Sequence, residues 1–504
     1  GGEYNVAVGN YTLDALTSGD YNTAIGYISG SAITTGSNNT GIGNQSLEYL
    51  TTGSDNTAGG SGGLNALTEG SSNTAFGRAA LGAVTTASNN TALGNHAGLG
   101  ITTGADNIAI GYQAIDAADT EGNNLAIGKA ALGGSVAGGE YNVAIGNYSL
   151  DALTSGDYNV AIGYAAGSDL TSGERNTFIG NDAGKDCIGG GQNVAIGDNA
   201  GGGALSTAAG RNIMIGRNAG TSLTSGTNSI FIGFEAGDGH DAEDHNLGIG
   251  TSALGGSING GEYNVAIGNY ALDALTSGDN NTAIGYQAGT DLTEGANVTL
   301  VGYGAGANIT TGSDSVFIGK DAGLAVTTSS GNTAVGYRSA EDLTGAKNTM
   351  LGYKAGLNAT TAAENTYIGY LAAGTGIGTS GYNVAIGNEA AEAATSMSES
   401  TIIGYKAAEA NTTGSHNIAI GYTAYDAADT ENHNLAIGTS ALGGSVAGGE
   451  YNVAIGNYSL DALTSGDRNL AMGYKAGSDV TTGSRNTLIG HEAALDTVGL
   501  TTGF

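Results

Sequence analysis

The chain has 504 residues with 93 Gly, no Pro, no Trp and one Cys, and 46 acidic against 14 basic residues give a formal charge of −32. That charge repels nucleic-acid phosphates and anionic lipid headgroups, a lone Cys187 permits no intrachain disulfide, and no apolar run approaches the roughly 18 residues of a membrane span. Gly-rich chains are often disordered, yet 40% of this one is hydrophobic and recurs at fixed offsets, and a chain without Pro keeps every backbone N–H available to a ladder.

The first predicted element is the short apolar run after Asn5, in NVAVG, and it returns at Asn22, Asn39, Asn56 and onward to Asn486. Counting from the motif Asn as offset 0, there are 29 copies, and 22 of the 28 intervals are seventeen residues, so residues 1–504 read as a single continuous repeat array. Offset 4 is Gly in every copy and offset 0 is Asn in 25, with Ser229, Val298, Ser315 and Ser400 replacing it. An unvarying Gly after an apolar run marks a backbone with positive φ or no room for a Cβ. Asn tolerates the left-handed conformation, so the pairs Asn22 and Gly26, Asn142 and Gly146, Asn159 and Gly163, and Asn281 and Gly285 are predicted corners.

Between the corners lie three β-type residues, too few for a helix, and offset 11 adds a second frequent apolar position (Leu16, Ile33, Leu153, Leu275) followed by Thr-Ser-Gly or Thr-Thr-Gly. Two short strands and two turns in seventeen residues describe one coil of a parallel β-solenoid, stacked at about 4.8 Å, so that 29 coils would reach roughly 140 Å. The fold class predicted is all-β, with a thin core along the stack.

Side chains alternate across a strand, which sends offsets 1 and 3 to one face and 0, 2 and 4 to the other. The first face is plainly apolar and is predicted inward. Offset 2 is mostly Ala, but Phe178, Met214, Phe231, Phe317 and Tyr367 also occupy it. Large apolar groups on an outward row need cover, so these five are predicted contacts with a second copy, and a parallel homo-oligomer with cyclic closure is expected.

Asn281 opens NTAIGYQA, and this motif, like NVAIG elsewhere, resembles the head repeats of trimeric autotransporter adhesins and the related repeats of bacteriophage tail fibres. The resemblance spans the whole chain, although this repeat is longer in its Leu-Thr-Ser-Gly half. It implies a left-handed β-roll assembled as a homotrimer, placed outside the cell, at the cell surface or on a virion. A start and an end inside the repeat read as a segment of a longer fibre protein. The 27-residue string at 131–157 returns unchanged at 441–467, so blocks of coils have been duplicated and length is what the duplication adjusts.

Tyr occupies offset 5 in eleven coils, including Tyr286, Tyr303, Tyr337, Tyr353 and Tyr370. Stacking places these rings in a column, which either binds sugar faces or stacks on itself to stiffen the turn. Acidic stretches at 116–124, 238–246 and 426–434 gather carboxylates and His, but with no known calcium-loop spacing, and they read as solvated bulged turns. His240 and His245 lack a third ligand fixed by sequence, so no metal and no cofactor is predicted. Gly-x-Gly groupings such as 374–378 have no following helix and belong to the Gly background.

The expected function is a structural fibre shaft with an adhesive role, whose partners are its own copies and a cell-surface glycan or protein receptor, without nucleic-acid binding or membrane insertion. It is not expected to be an enzyme, because almost every coil has the same length and no carboxylate constellation breaks the repeat. Two alternatives are an ice-binding solenoid, suggested by Thr pairs at offsets 12 and 13, and a glycan-processing fibre enzyme.

Overall fold

The computed structural model describes residues 1–117, 120–134, 139–375, 378–379, 381–444 and 448–495. Parts of the acidic stretch at 116–124, of the duplicated strings and of the 374–378 grouping therefore lie outside the described residues. The chain forms two compact units, Gly1–Asn259 and Gly260–Phe504.

Each coil contributes one three-residue strand. The first unit runs from β1 (Val6–Val8) to β15 (Leu247–Ile249) and the second from β16 (Val265–Ile267) to β29 (Thr487–Ile489). Within each unit every strand pairs in parallel with its sequence neighbours in unshifted register, Val143 on Val160 on Thr177 and Thr282 on Thr299 on Val316. This is an all-β parallel β-solenoid with a seventeen-residue step, and the first unit alone rises about 70 Å at the inter-strand spacing.

The second strand predicted at offset 11 does not form. Its apolar residues are buried (Ile33, Leu50, Leu153 and Leu275), but the chain there is a stack of turns rather than a strand. Coil-to-coil bonds persist without regular strand geometry: Thr17 N donates to Thr34 O at 2.9 Å, and the Thr17 hydroxyl donates to the same oxygen at 2.8 Å.

The predicted sense of the strand is reversed. Offsets 0 and 2 point inward and offsets 1 and 3 outward: Ala24 is buried while its neighbour Ile25 is exposed, and Ala161 and Ile162 repeat the pattern. Phe178, Met214, Phe231, Phe317 and Tyr367 are all enclosed by their own chain, so none of them needs a second copy to cover it. The reason is room. Where offset 2 is Phe or Met, offset 8 is Gly, and where it is Tyr367 or Ile402, offset 8 is Ala373 or Ala408: a Cβ on Gly184 would sit 2.6 Å from the Phe178 ring and one on Gly167 2.8 Å from it. In the coils of Ala75 and Ala144, Leu81 and Leu150 fill the same space from offset 8, whereas Ala24 and Ala161 stand in coils with Gly30 and Gly167 there and take bulk from a neighbouring coil. At Phe178 and Gly184, and at Ala144 and Leu150, bulk is exchanged between two turns of one coil, as close packing requires.

Buried Asn at offset 0 is stabilised by hydrogen bonds in two directions. Asn159 Nδ2 donates to Gly173 O fourteen residues on at 2.9 Å, closing its own coil, and Asn176 N donates to Asn159 Oδ1 at 3.0 Å, joining the next. Asn22, Asn142 and Asn281 make the same pair of bonds. The left-handed corner lies one residue earlier than predicted, at Tyr21, Tyr141, Tyr158 and Asn280, all near φ +57°. At the other corner Gly26 has φ +139° and Gly146 +136°, and a Cβ on Gly26 would come within 2.7 Å of the Gly43 carbonyl carbon stacked on it.

Candidate functional site

Because offsets 1 and 3 face out, each unit presents a continuous strand face to solvent. It carries Thr, Val, Ile or Leu at offset 1 and mainly Ile at offset 3, with Ile25, Ile42, Phe76, Leu93, Ile284 and Leu351 among the exposed members. In none of the 29 coils does Asp, Glu, Lys, Arg or His occupy either offset, although the chain carries 60 charged Asp, Glu, Lys and Arg side chains. This face is free of charged side chains on a chain of −32, with Ile and Val beside a share of Thr.

Aromatic columns flank this face. At offset 5, Tyr286 and Tyr303 stack with centroids 5.3 Å apart, and Tyr337, Tyr353 and Tyr370 stack at 5.3 and 5.1 Å. Lys320 bridges the two groups, its ammonium 5.3 Å from the Tyr303 ring and 6.0 Å from that of Tyr337. The five tyrosines predicted as a column therefore form two stacks joined through Lys320, and within each stack neighbouring rings cover one another's faces. A second ladder at the left-handed corner was not foreseen: Tyr141 and Tyr158 stack at 5.0 Å with Arg175 above, and His416, His433 and Tyr451 stack at 4.7 Å each. Its signal in the sequence was the residue before each motif Asn, read down the alignment instead of along the chain.

In the acidic stretches the central glutamate is buried and already engaged. Glu243 accepts from Asp241 N at 3.0 Å and Ala242 N at 3.1 Å, and Glu431 accepts from Asp429 N, Thr430 N and Gly448 N. These carboxylates fold the turn. His245 is exposed, whereas His240 lies fully buried against the Phe231 ring at 4.6 Å, so the two are not a ligand pair. Neither ring nitrogen of His240 has a hydrogen-bond partner, and burial, opposed only weakly by the Leu254 backbone, pushes the ring's pKa down to about 3. Cys187 is likewise buried in the offset-11 row, where desolvation pushes its thiol up to about 12 and makes it an inert filler.

Carboxylates gather once more in the second unit, where oxygens of Glu389, Glu392 and Glu409 lie within 4.8 Å of one another. Lys406 reaches Glu389 at 3.0 Å and Glu409 at 2.9 Å, so the cluster is partly neutralised by its own cation. Burial, reinforced by Glu389 and Glu409, raises the Glu392 pKa. Tyr425, which no motif signalled, is a buried tie: its hydroxyl donates to Glu431 O at 3.1 Å and accepts from Asn434 Nδ2 at 2.8 Å. Tyr367 is desolvated too, its pKa pushed up to about 12.

No protein-family model and no curated protein sequence matches this chain. Among the described residues no helix is long and apolar enough to cross a membrane.

Proposed function

We propose that the chain is a structural fibre segment whose copies associate side by side through the outward strand face, as a homotrimer of left-handed β-rolls. The observation that carries this reading is the absence of charge from offsets 1 and 3 in every coil. Two copies of a strongly acidic chain repel each other wherever their charged turns meet, and only this face lets them approach without that cost. A second copy also has the same rise per coil, so its Ile and Val rows match these row for row. The association face is thus the opposite of the one expected from Phe178 and its equivalents.

The resemblance to adhesin heads and phage fibres supports a place outside the cell, at its surface or on a virion, and an adhesive role in which many coils sum weak contacts to a glycan or protein receptor. Stiffness comes from the Asn ladder and the stacked glycine corners. No cofactor, nucleic acid or membrane insertion enters this reading, and no catalysis is assigned. A glycan-processing role would rest on Glu389, Glu392 and Glu409, and depolymerisation of a surface polysaccharide by the purified chain would be needed to support it. Sedimentation equilibrium tests the assembly: wild type is expected to be oligomeric, and Ile162→Lys with Ile284→Lys to release single folded chains. A wild-type single-chain particle at tens of micromolar would end the reading.

One observation favours ice binding as a second reading. Thr23, Thr40, Thr57, Thr74 and Thr91 form an unbroken outward column beside Ile25, Ile42, Phe76 and Leu93. The offset-12 threonines first considered for that role already donate their hydroxyls to the next coil, Thr34 to Thr51 O at 3.1 Å and Thr51 to Thr68 O at 2.9 Å. Thermal hysteresis of the purified chain would support this alternative, and its absence would remove it.

A further inference from the structure

The seventeen-residue period breaks twice at short range in the first unit. The coil from Asn193 takes nineteen residues to reach Asn212, and the one from Asn246 carries an extra residue before the buried Ile258. Two ordinary coils lie between these longer ones. The result is a notch of about 720 Å³, walled by the bulge at Ala204 on one side and by Ser257 and Asn259 on the other, with Ser222, Thr224 and Asp241 on its floor. That volume lies within the range of small-molecule sites, roughly 300–1,000 Å³.

Its chemistry is specific in two respects. Hydroxyls from Ser222, Thr224 and Ser257, the Asn259 amide and the Asp241 carboxylate alternate with the exposed apolar surface of Ala204 and Ala242, and neither Lys nor Arg lines it. Donors and acceptors set among small apolar patches suit a ring with hydroxyls at its edge and C–H groups on its face. The missing cation and the present carboxylate work against phosphate, sulfate or uronate.

The floor is also rigid before anything binds. Thr224 N donates to Asp241 O at 2.7 Å, the Thr224 hydroxyl donates to the Asp241 carboxylate, and Glu243 holds the turn through Asp241 N and Ala242 N. With Glu243 engaged in this way, one carboxylate remains to face the notch, which is too few for a hard cation. Preorganised polar groups lose little freedom on binding.

We infer that this notch binds a neutral saccharide. The proposal rests on the adhesive part of the reading above and gives it a receptor class, but it needs only one chain and is independent of copy number.

The test is saturation-transfer NMR on the full chain with maltotriose, cellotriose and chitotriose, and with 3′-sialyllactose as the anionic comparison. At least one neutral trisaccharide is expected to bind with a dissociation constant on the order of 1 mM. Ser222→Leu, which obstructs the floor from an exposed position, and Asp241→Ala, which removes the acceptor, are each expected to weaken it at least about tenfold with circular dichroism unchanged. Absence of binding by all three neutral sugars, binding unchanged in both variants, or stronger binding of the sialylated sugar would overturn the proposal. Sedimentation of the same samples separates the two readings, since an oligomer that binds no sugar removes only the notch, and a single chain that binds it removes only the assembly.

Discussion

Phe178 and Gly184 share one space in the core: a Cβ on the glycine would stand 2.6 Å from the phenylalanine ring. Gly184→Leu should therefore overpack the coil and cost about 1–3 kcal/mol, and Phe178→Ala should leave a cavity and cost about 3–5 kcal/mol. The double variant recreates the combination at Ala144 and Leu150, and Leu150 already adopts the same left-handed backbone at φ +49° as Gly184 does at +60°. It is expected to be more stable than Phe178→Ala alone. Denaturation midpoints of the four chains decide this, and simple additivity would show that the two positions do not exchange volume.

Asn159 is a joint in the ladder, and its loss orphans two backbone groups, Gly173 O and Asn176 N. Asn159→Ala is expected to cost on the order of 3 kcal/mol. Asn159→Ser should cost less, because Ser229, Ser315 and Ser400 show how serine keeps half of the joint: their Oγ atoms still accept from Asn246 N, Asn332 N and Asn417 N at 3.1–3.2 Å. Hydrogen exchange at Asn176 N should rise in the order wild type, Ser, Ala. Equal protection in all three would remove the ladder as a source of stability.

His240 should make the first unit acid-sensitive. Its native pKa is about 3, against an ordinary value near 6.5, so between those limits the unfolded chain holds a proton that the folded chain does not. The contribution of this group is complete above about pH 6.5 and falls as pH drops toward 3, by at most about 1.4 kcal/mol per unit. Burial raises the carboxyl pKa at Asp151, Asp273 and Asp461, and those groups act with the opposite sign. The difference between wild type and His240→Leu isolates the histidine, with Leu223 in the same row showing that leucine fits. The two chains should diverge on acidification, and parallel stability curves from pH 7 to 4 would contradict the burial argument.

Tyr353 stacks between Tyr337 and Tyr370, so Tyr353→Ala should remove two ring contacts and cost about 1–2 kcal/mol, with a loss of near-ultraviolet dichroism. Tyr353→Phe should keep both. An alanine variant as stable as wild type would leave the column without a structural role.

The repeat, its period, the parallel stack and the glycine corners were all legible in the sequence. Each is a local constraint restated in every coil: Gly26 cannot carry a Cβ beneath Gly43, and that demand appears as an unvarying letter. The Tyr column was legible for the same reason, since equal spacing becomes vertical stacking. The second aromatic ladder was not, because its members vary between Tyr, His and Arg. The notch was legible only as two irregular intervals around 193–212 and 246–264, whose lining comes from four coils.

Alternation along a three-residue strand is a sequence property, and it determined that Ala161 and Ile162 face opposite ways. Which way is inward was decided only by the tertiary structure. Hydrophobicity favoured Ile, but the interior of a seventeen-residue coil is too thin for a full Ile row, and it admits Phe178 only where Gly167 and Gly184, on neighbouring turns, give up their side chains. A space shared between coils is not visible in either coil alone. That sharing turned the row first expected to meet another chain into core, and left the uncharged Thr, Val and Ile face for whatever the molecule meets.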